Sequence, residues 1–233
     1  DQQAALGALL HSAKRVAMQY SPMNAIPYLS RVDAGTIDLV RSLGAEVVTS
    51  ADLVQQFEAV WDDAQLASHR VAAEGLRAIV DEAFEFVGIS LAARSSLTEY
   101  GLQQYILSRM QVRGLVTSSP PIAAVNAHSA DPHYAPASQG SAPIRQGDLV
   151  LIDLWAKQPG AGAVYGDITW TGFVGATVPA RHQDIFQIVR RARDAAVTFV
   201  QGRVRAGEFP YGWEVDDVCR QVVQEAGYGE YFV

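Results

Sequence analysis

The chain has 233 residues, 49% of them hydrophobic, and carries 25 acidic against 18 basic side chains for a net charge of −7. That is enough to bury a substantial core, as one large domain or two unequal ones. The acidic balance, with basic residues scattered among Asp and Glu, sets nucleic acid aside as a partner, because a polyphosphate would gain little from the long-range field. No run reaches the length of a membrane span, and the opening DQQAALGALL has neither a basic leader region nor an initiating Met, so a soluble protein with a trimmed or internal N-terminus is expected. The single cysteine, Cys219, excludes an intrachain disulfide and a thiolate metal cluster; its apolar helical surroundings predict a buried, inert thiol.

Up to about Ala59 the chain alternates helix and strand signals. LGALLHSA reads helical, KRVAMQY extended, AGTIDLVRSLG helical with Gly44 as its stop, and AEVVTS extended, an α/β layer pattern. A linker is expected near Val60 to Asp63. From Asp62 a long amphipathic helix follows, with Ala72, Leu76, Ile79, Val80, Ala83 and Val87 at helical spacing and Gly88 as its end. In the next helix Ser96 and Glu99 fit a capping box, and Leu102, Tyr105, Ile106 and Met110 form the stripe before Gly114.

A mostly β block then runs from LVTSSPPIAAVN through AHSADPHYAPAS, whose Pro, Ser and His content rules out regular helix. Its centre is a hairpin, Val150 to Ala156 and Val164 to Thr171 around the turn segment KQPGAGA. Antiparallel pairing about Gly160 places Asp153 opposite Asp167 on one face, and Trp155 opposite Tyr165. Cross-strand β-carbons lie about 5 Å apart, so two carboxylates there repel unless a proton or a cation sits between them. Read alone, the pair fits half of a metal site, and it also fits an ordinary hairpin with one carboxylate capping a turn or paired to Arg. Two helices close the chain: one with Ile185, Ile188, Val189, Ala192, Ala196, Phe199 and Val200 on one side, the other with Val215, Val218, Cys219 and Val222, ending at Gly227. From Asp62 onward this order gives an α+β domain, helices covering one face of a mostly antiparallel sheet.

IRQGDLVLIDLWAKQPGAGAVYGDITWTGFVG resembles the metal-binding hairpin of the pita-bread peptidases: aminopeptidase P, prolidase, methionine aminopeptidase and the related creatinase. NAHSADPHYAP resembles that family's strand-end histidine segment, with His133 at the matching position, and GWEVDDVCRQVVQEAGYGEYFV resembles the helix before its next metal ligand. Residues 1–60 resemble the latter part of the α/β N-terminal domain of the Xaa-Pro peptidase and creatinase branch, which favours that branch. The resemblance implies the first half of a pita-bread fold over 61–233, preceded by the C-terminal part of that α/β domain over 1–60. In the family five residues bind two metal ions: two hairpin aspartates, a histidine from a His-x-x-Gly-His type motif, and two later glutamates. This sequence stops at Val233, where the histidine motif is expected to begin, so the expectation is a chain truncated at both ends that carries the first two ligands.

On this resemblance Asp153 ligates one ion and Asp167 bridges both, while His133 hydrogen-bonds the scissile region or the oxyanion. Carboxylates with one imidazole suit two divalent ions, Mn, Co, Zn or Fe, which activate a hydroxide. The implied activity is hydrolysis of the peptide bond before proline, on a small peptide with proline at the second position, by a cytoplasmic homodimer with no nucleic-acid or membrane partner. Two alternatives share the scaffold: a non-catalytic pita-bread binding module, and creatinase-like hydrolysis of a guanidino compound. His128 reads as a surface or substrate-rim residue, His69 as structural, and Trp155 and Tyr165 as packed strand aromatics.

Overall fold

Two strands begin the architecture, β1 (Arg15–Met18) and β2 (Glu46–Thr49), paired parallel from Arg15↔Glu46 to Met18↔Thr49. Parallel neighbours need a crossover connection. Helix α2 (Ala34–Ser42) supplies it, after α1 (Gln2–Leu10), and α3 (Ala51–Glu58) follows β2. The α2 N-terminus is capped by Asp33, whose side chain accepts the Thr36 backbone N–H at 2.9 Å. At its other end Gly44, at φ +91°, turns the chain into β2. Ile37 and Val40 of α2 bury against Ala45 and Val47, with Leu10, Val16 and Met18 packed around them.

The computed structural model describes residues 1–232 and divides into two units. The first holds residues 1–76 with the short stretches 113–117 and 155–166; the second holds 77–112, 118–154 and 167–232 of the described residues. Helix α4 (Asp63–Ala92) contributes to both. Its predicted stripe, Ala72, Leu76, Ile79, Val80, Ala83 and Val87, is buried throughout. Gly88 does not end it, however. The helix runs on to Ala92 and turns out at Arg94, at φ +53°, where the Ser95 N–H donates to the Ser90 carbonyl at 2.9 Å. An interior glycine costs about 1 kcal/mol relative to alanine, and the buried Val87 and Ser90 beside it offset that cost.

In the first unit, the turn side of the hairpin is pinned by polar contacts. The Val164 N–H donates to Ser68 Oγ at 3.0 Å, His69 Nδ1 donates to the Tyr165 carbonyl at 2.7 Å, and Val116 and Lys157 exchange two backbone bonds of 2.9 Å. His69 is thus structural, with its ring 4.9 Å from that of Trp61.

The second unit is built on a three-stranded sheet in the order β3 (Ile122–Val125), β4 (Leu149–Ala156), β5 (Gly166–Phe173). β3 and β4 are antiparallel, from Ile122↔Asp153 to Val125↔Val150. Strand β4 alternates strictly: Val150, Ile152, Leu154 and Ala156 are sealed, while Leu149, Leu151, Asp153 and Trp155 are half-buried. That two-residue period commits Asp153 to the face away from the core. Helix α5 (Glu99–Val112) buries Leu102, Ile106 and Met110 as its periodicity predicts, and Tyr105 stacks on Phe86 at 4.1 Å. Helices α6 (Ala180–Arg205) and α7 (Gly212–Glu225) pack on each other. Of the α6 stripe only Ala192 and Ala196 are buried, and Ile185, Ile188 and Val189 line an open apolar groove of about 660 Å³ between α6 and α7. Cys219 borders this groove and is half-buried rather than buried, its thiol 3.4 Å from the Ala192 carbonyl. Among the described residues no helix is long and apolar enough to cross a membrane.

The capping box expected of Ser96 and Glu99 is not formed. Thr98 caps α5, its hydroxyl accepting the Gly101 N–H at 3.1 Å. Glu99 instead turns inward, with 0% exposure, and its carboxylate collects four donors. Oε1 accepts the Val125 N–H at 2.8 Å and His128 Nδ1 at 2.9 Å; Oε2 accepts the Tyr134 hydroxyl at 2.5 Å and the Ala142 N–H at 2.9 Å. A buried carboxylate is tolerated only when so compensated. Burial pushes the Glu99 carboxyl up, but the bonds from Tyr134, His128, Val125 and Ala142 outweigh it and hold the group below its ordinary value. Desolvation and the same contact push the Tyr134 hydroxyl up to about 12.

Two outcomes follow. Ile152→Ala, at 0% exposure in the central strand, should lose about 2–5 kcal/mol, read as a fall in the urea midpoint, while Thr171→Ala on the exposed side should stay within about 0.5 kcal/mol. Because the folded-state pKa of Glu99 is depressed, its ionised form contributes stability that is complete above the unfolded value and is lost as pH falls through the folded one. The stability gap between wild type and Glu99→Gln should therefore be widest near neutral pH and shrink on acidification below the ordinary carboxylate range, measured by urea unfolding at pH 7 and pH 3.

Candidate metal site

Asp167 is the second residue of β5, directly after Gly166, where the strand comes so close to α4 that a side chain has no room. A β-carbon at Gly166 would stand 3.0 Å from the Ala73 backbone nitrogen and 3.1 Å from Leu76 Cδ1. The close approach fixes where β5 starts, and the two-residue period then puts Asp167 and Thr169 on one face. The Thr169 hydroxyl donates to Asp153 Oδ1 at 2.7 Å, so Asp153 of the neighbouring strand shares that face.

Ile122, the cross-strand partner of Asp153 on β3, is buried and gives that carboxylate an apolar flank. Partial burial pushes the Asp167 carboxyl above its usual range, and the negative charge of Asp153 adds to the rise. The charge on Asp153 is thus close enough to disfavour the ionised form of Asp167. Thr169 satisfies Asp153 Oδ1; Asp153 is half-buried and Asp167 exposed.

Hard carboxylate oxygens of this kind match a divalent cation such as Mn, Fe, Co or Zn. The donor chemistry fits; the donor count makes it part of a site, since among the described residues no group of three or more His, Cys, Asp and Glu converges on one point.

The remaining residues singled out in the sequence separate into two groups. His133 is exposed on the long connection between β3 and β4; its backbone N–H donates to Asp131 Oδ1 at 2.9 Å, and no hydrogen bond or ion pair joins its ring to either aspartate. His128, expected at a surface or rim, keeps 43% of its side chain exposed and is also tied to buried Glu99 through Nδ1, with its ring stacked 4.4 Å from Tyr134. Trp155 and Tyr165 are half-buried, the latter with the Lys157 ammonium 5.4 Å above its ring. Two grooves along α6, of about 660 and 500 Å³, and a third of about 590 Å³ beside α4 are not lined by Asp153, Asp167 or His133. Thr169 and Glu99 are the residues that sequence reasoning passed over. Thr169 was recoverable from its place two residues after Asp167, whereas the local signal at Glu99 pointed to a helix cap.

The model of metallopeptidase family M24 matches residues 66–233. A putative dipeptidase YkvY of Bacillus subtilis (strain 168) is 28% identical over 190 residues, covering 81% of this chain and 47% of the relative. A Xaa-Pro dipeptidase of Lactobacillus helveticus is 28% identical over 162 residues, covering 69% and 40%. Among solved structures, the dipeptidase PepE from Mycobacterium ulcerans has a TM-score of 0.65 at 24% identity over 100% of this chain and 56% of its own. An X-prolyl aminopeptidase from Caenorhabditis elegans, described as a cytosolic enzyme with a di-nuclear active site, has a TM-score of 0.65 at 23% identity over 82% and 30%. The structural likenesses speak for the fold, and the chain spans about half or less of the length of these curated relatives. With the hairpin, the sheet order and the family match in agreement, the chain belongs to metallopeptidase family M24, near its Xaa-Pro peptidases, and has the α+β pita-bread fold.

Proposed function

We propose that the protein containing this chain is a Xaa-Pro metallopeptidase of the dipeptidase or aminopeptidase type, hydrolysing the bond before proline in small peptides. The observation that carries this reading is the carboxylate pair, Asp153 and Asp167, on one face of the hairpin inside the region matched by the M24 model. On the same reading, residues 1–60 are part of an N-terminal α/β domain, in keeping with the parallel β1–β2 pair, and 61–233 are the first portion of the catalytic domain.

Asp153 and Asp167 would hold the metal ions, their repulsion relieved by the positive charge. When bound, two divalent ions supply Lewis acidity toward the scissile carbonyl and a nucleophile at neutral pH. Thr169 limits the rotation of Asp153 by its hydrogen bond to Oδ1 and so fixes which oxygen points outward. The apolar flank of Ile122 keeps water from one side of that carboxylate and strengthens its interaction with a cation. His133, on the β3–β4 connection, is assigned the donor role toward the developing oxyanion, for which a placed hydrogen bond contributes about 3 kcal/mol.

In the full-length gene product supplied with Mn, Co, Zn or Fe, a panel of Xaa-Pro peptides should be cleaved and creatine should not. Asp153→Ala and Asp167→Ala should each lose hydrolysis and calorimetric metal binding together. Full metal occupancy with retained cleavage in either variant would sink the assignment, and creatine turnover without peptide cleavage would move the protein to a different reaction.

A further inference from the structure

Between the end of β3 at Val125 and the start of β4 at Leu149 the chain makes a connection of more than twenty residues, whose only regular element is a short 3-10 turn over Asn126–Ala130. A loop of that length without secondary structure is expected to be mobile unless something ties it down. Glu99 does so at four points. Its two carboxylate oxygens accept bonds from Val125, where the connection starts, from His128 and Tyr134 within it, and from Ala142 near its end. His133 is the residue immediately before Tyr134. Stacking of the His128 and Tyr134 rings at 4.4 Å closes the loop between them on itself, so that residues 128 to 134 form a small turn anchored at both ends on one buried oxygen pair. The outer edge is fixed separately: Asn126 donates to Asp148 at 2.7 Å and accepts the Leu149 N–H at 3.0 Å.

We propose that Glu99 is a positioning residue for His133, acting through Tyr134 and His128 to hold the 126–142 segment in one arrangement. Glu99 touches neither His133 nor the aspartates. Its effect is to remove conformations of the loop in which the histidine points elsewhere, and misplacement of a reacting group by about 1 Å can cost on the order of a hundredfold in rate. Tyr134 is the more delicate part of the device. Its hydroxyl can be removed with its ring left stacked on His128, so Tyr134→Phe loosens the clamp without emptying space.

The inference rests on the peptidase reading for its kinetic arm and not for its structural arm. In the full-length gene product, hydrogen exchange should show the Ala142 amide and the other backbone amides of 126–142 exchanging at least about tenfold faster in Glu99→Gln and in Tyr134→Phe, with helices α4 and α5 unchanged. On Xaa-Pro peptides, Tyr134→Phe should lower kcat by about 3–10-fold and Glu99→Gln by about 10–100-fold, with KM within about twofold, because the lost term is placement of a group used in the transition state. The deciding measurement is a double-mutant cycle: Glu99→Gln added to His133→Ala should cost no more than about twofold beyond His133→Ala alone. Losses that multiply in the double variant would show that Glu99 does not act through His133, and unchanged exchange over 126–142 would show that it does not hold the segment; either result overturns the proposal. A wild-type protein that cleaves no Xaa-Pro peptide would remove the reading of function, and the exchange result alone would then decide whether Glu99 holds the segment.

Discussion

A carboxylate with no solvent contact needs its hydrogen bonds supplied by the protein, and the organisation of the second unit follows from how Glu99 obtains them. Unpaired, the buried charge would cost several kcal/mol. The four donors come from the end of β3 and from the connection that follows it, so satisfying the charge and folding the connection are one event. Two of the donors are backbone amides, which only a proline substitution would remove.

The hairpin presents the opposite electrostatic situation. Asp153 and Asp167 lie on the outward face of a sheet whose other face is sealed by Val150, Ile152 and Leu154, and the strands cannot slip by one residue without turning those side chains out. The repulsion between the two acids is therefore built into a rigid support and cannot be relaxed by a register change. Thr169 donates a hydrogen bond to Asp153, while burial and the neighbouring Asp153 charge push the Asp167 carboxyl above its ordinary value. On the proposed reading that unfavourable arrangement has a chemical purpose, since a bound cation would convert it into attraction.

Much of the framework was legible in the residues. The stripe from Ala72 to Val87, the stripe Leu102, Ile106 and Met110, the turn at Gly44 and the placing of β1, α2 and β2 all follow from local periodicity and backbone preference, which act over a few residues. The errors share a cause. An isolated glycine weakens a helix, so Gly88 reads locally as a helix end, but burial of its neighbours decides that the helix continues. The helical pattern around Cys219 predicts a buried thiol, yet a pattern cannot state what covers it, and the residue is half-buried.

Glu99 and His128 mark the boundary between the two kinds of information. Sequence alone determined that two aspartates occupy adjacent strands with the same parity, because strand period and turn position are local properties, and the family resemblance followed from them. Only the tertiary structure decided that Glu99 leaves its helix end to meet Val125, His128, Tyr134 and Ala142, partners 26 to 43 residues away. Such contacts exist only once β3 and α5 are packed together, and no spacing rule links residues so far apart along the chain.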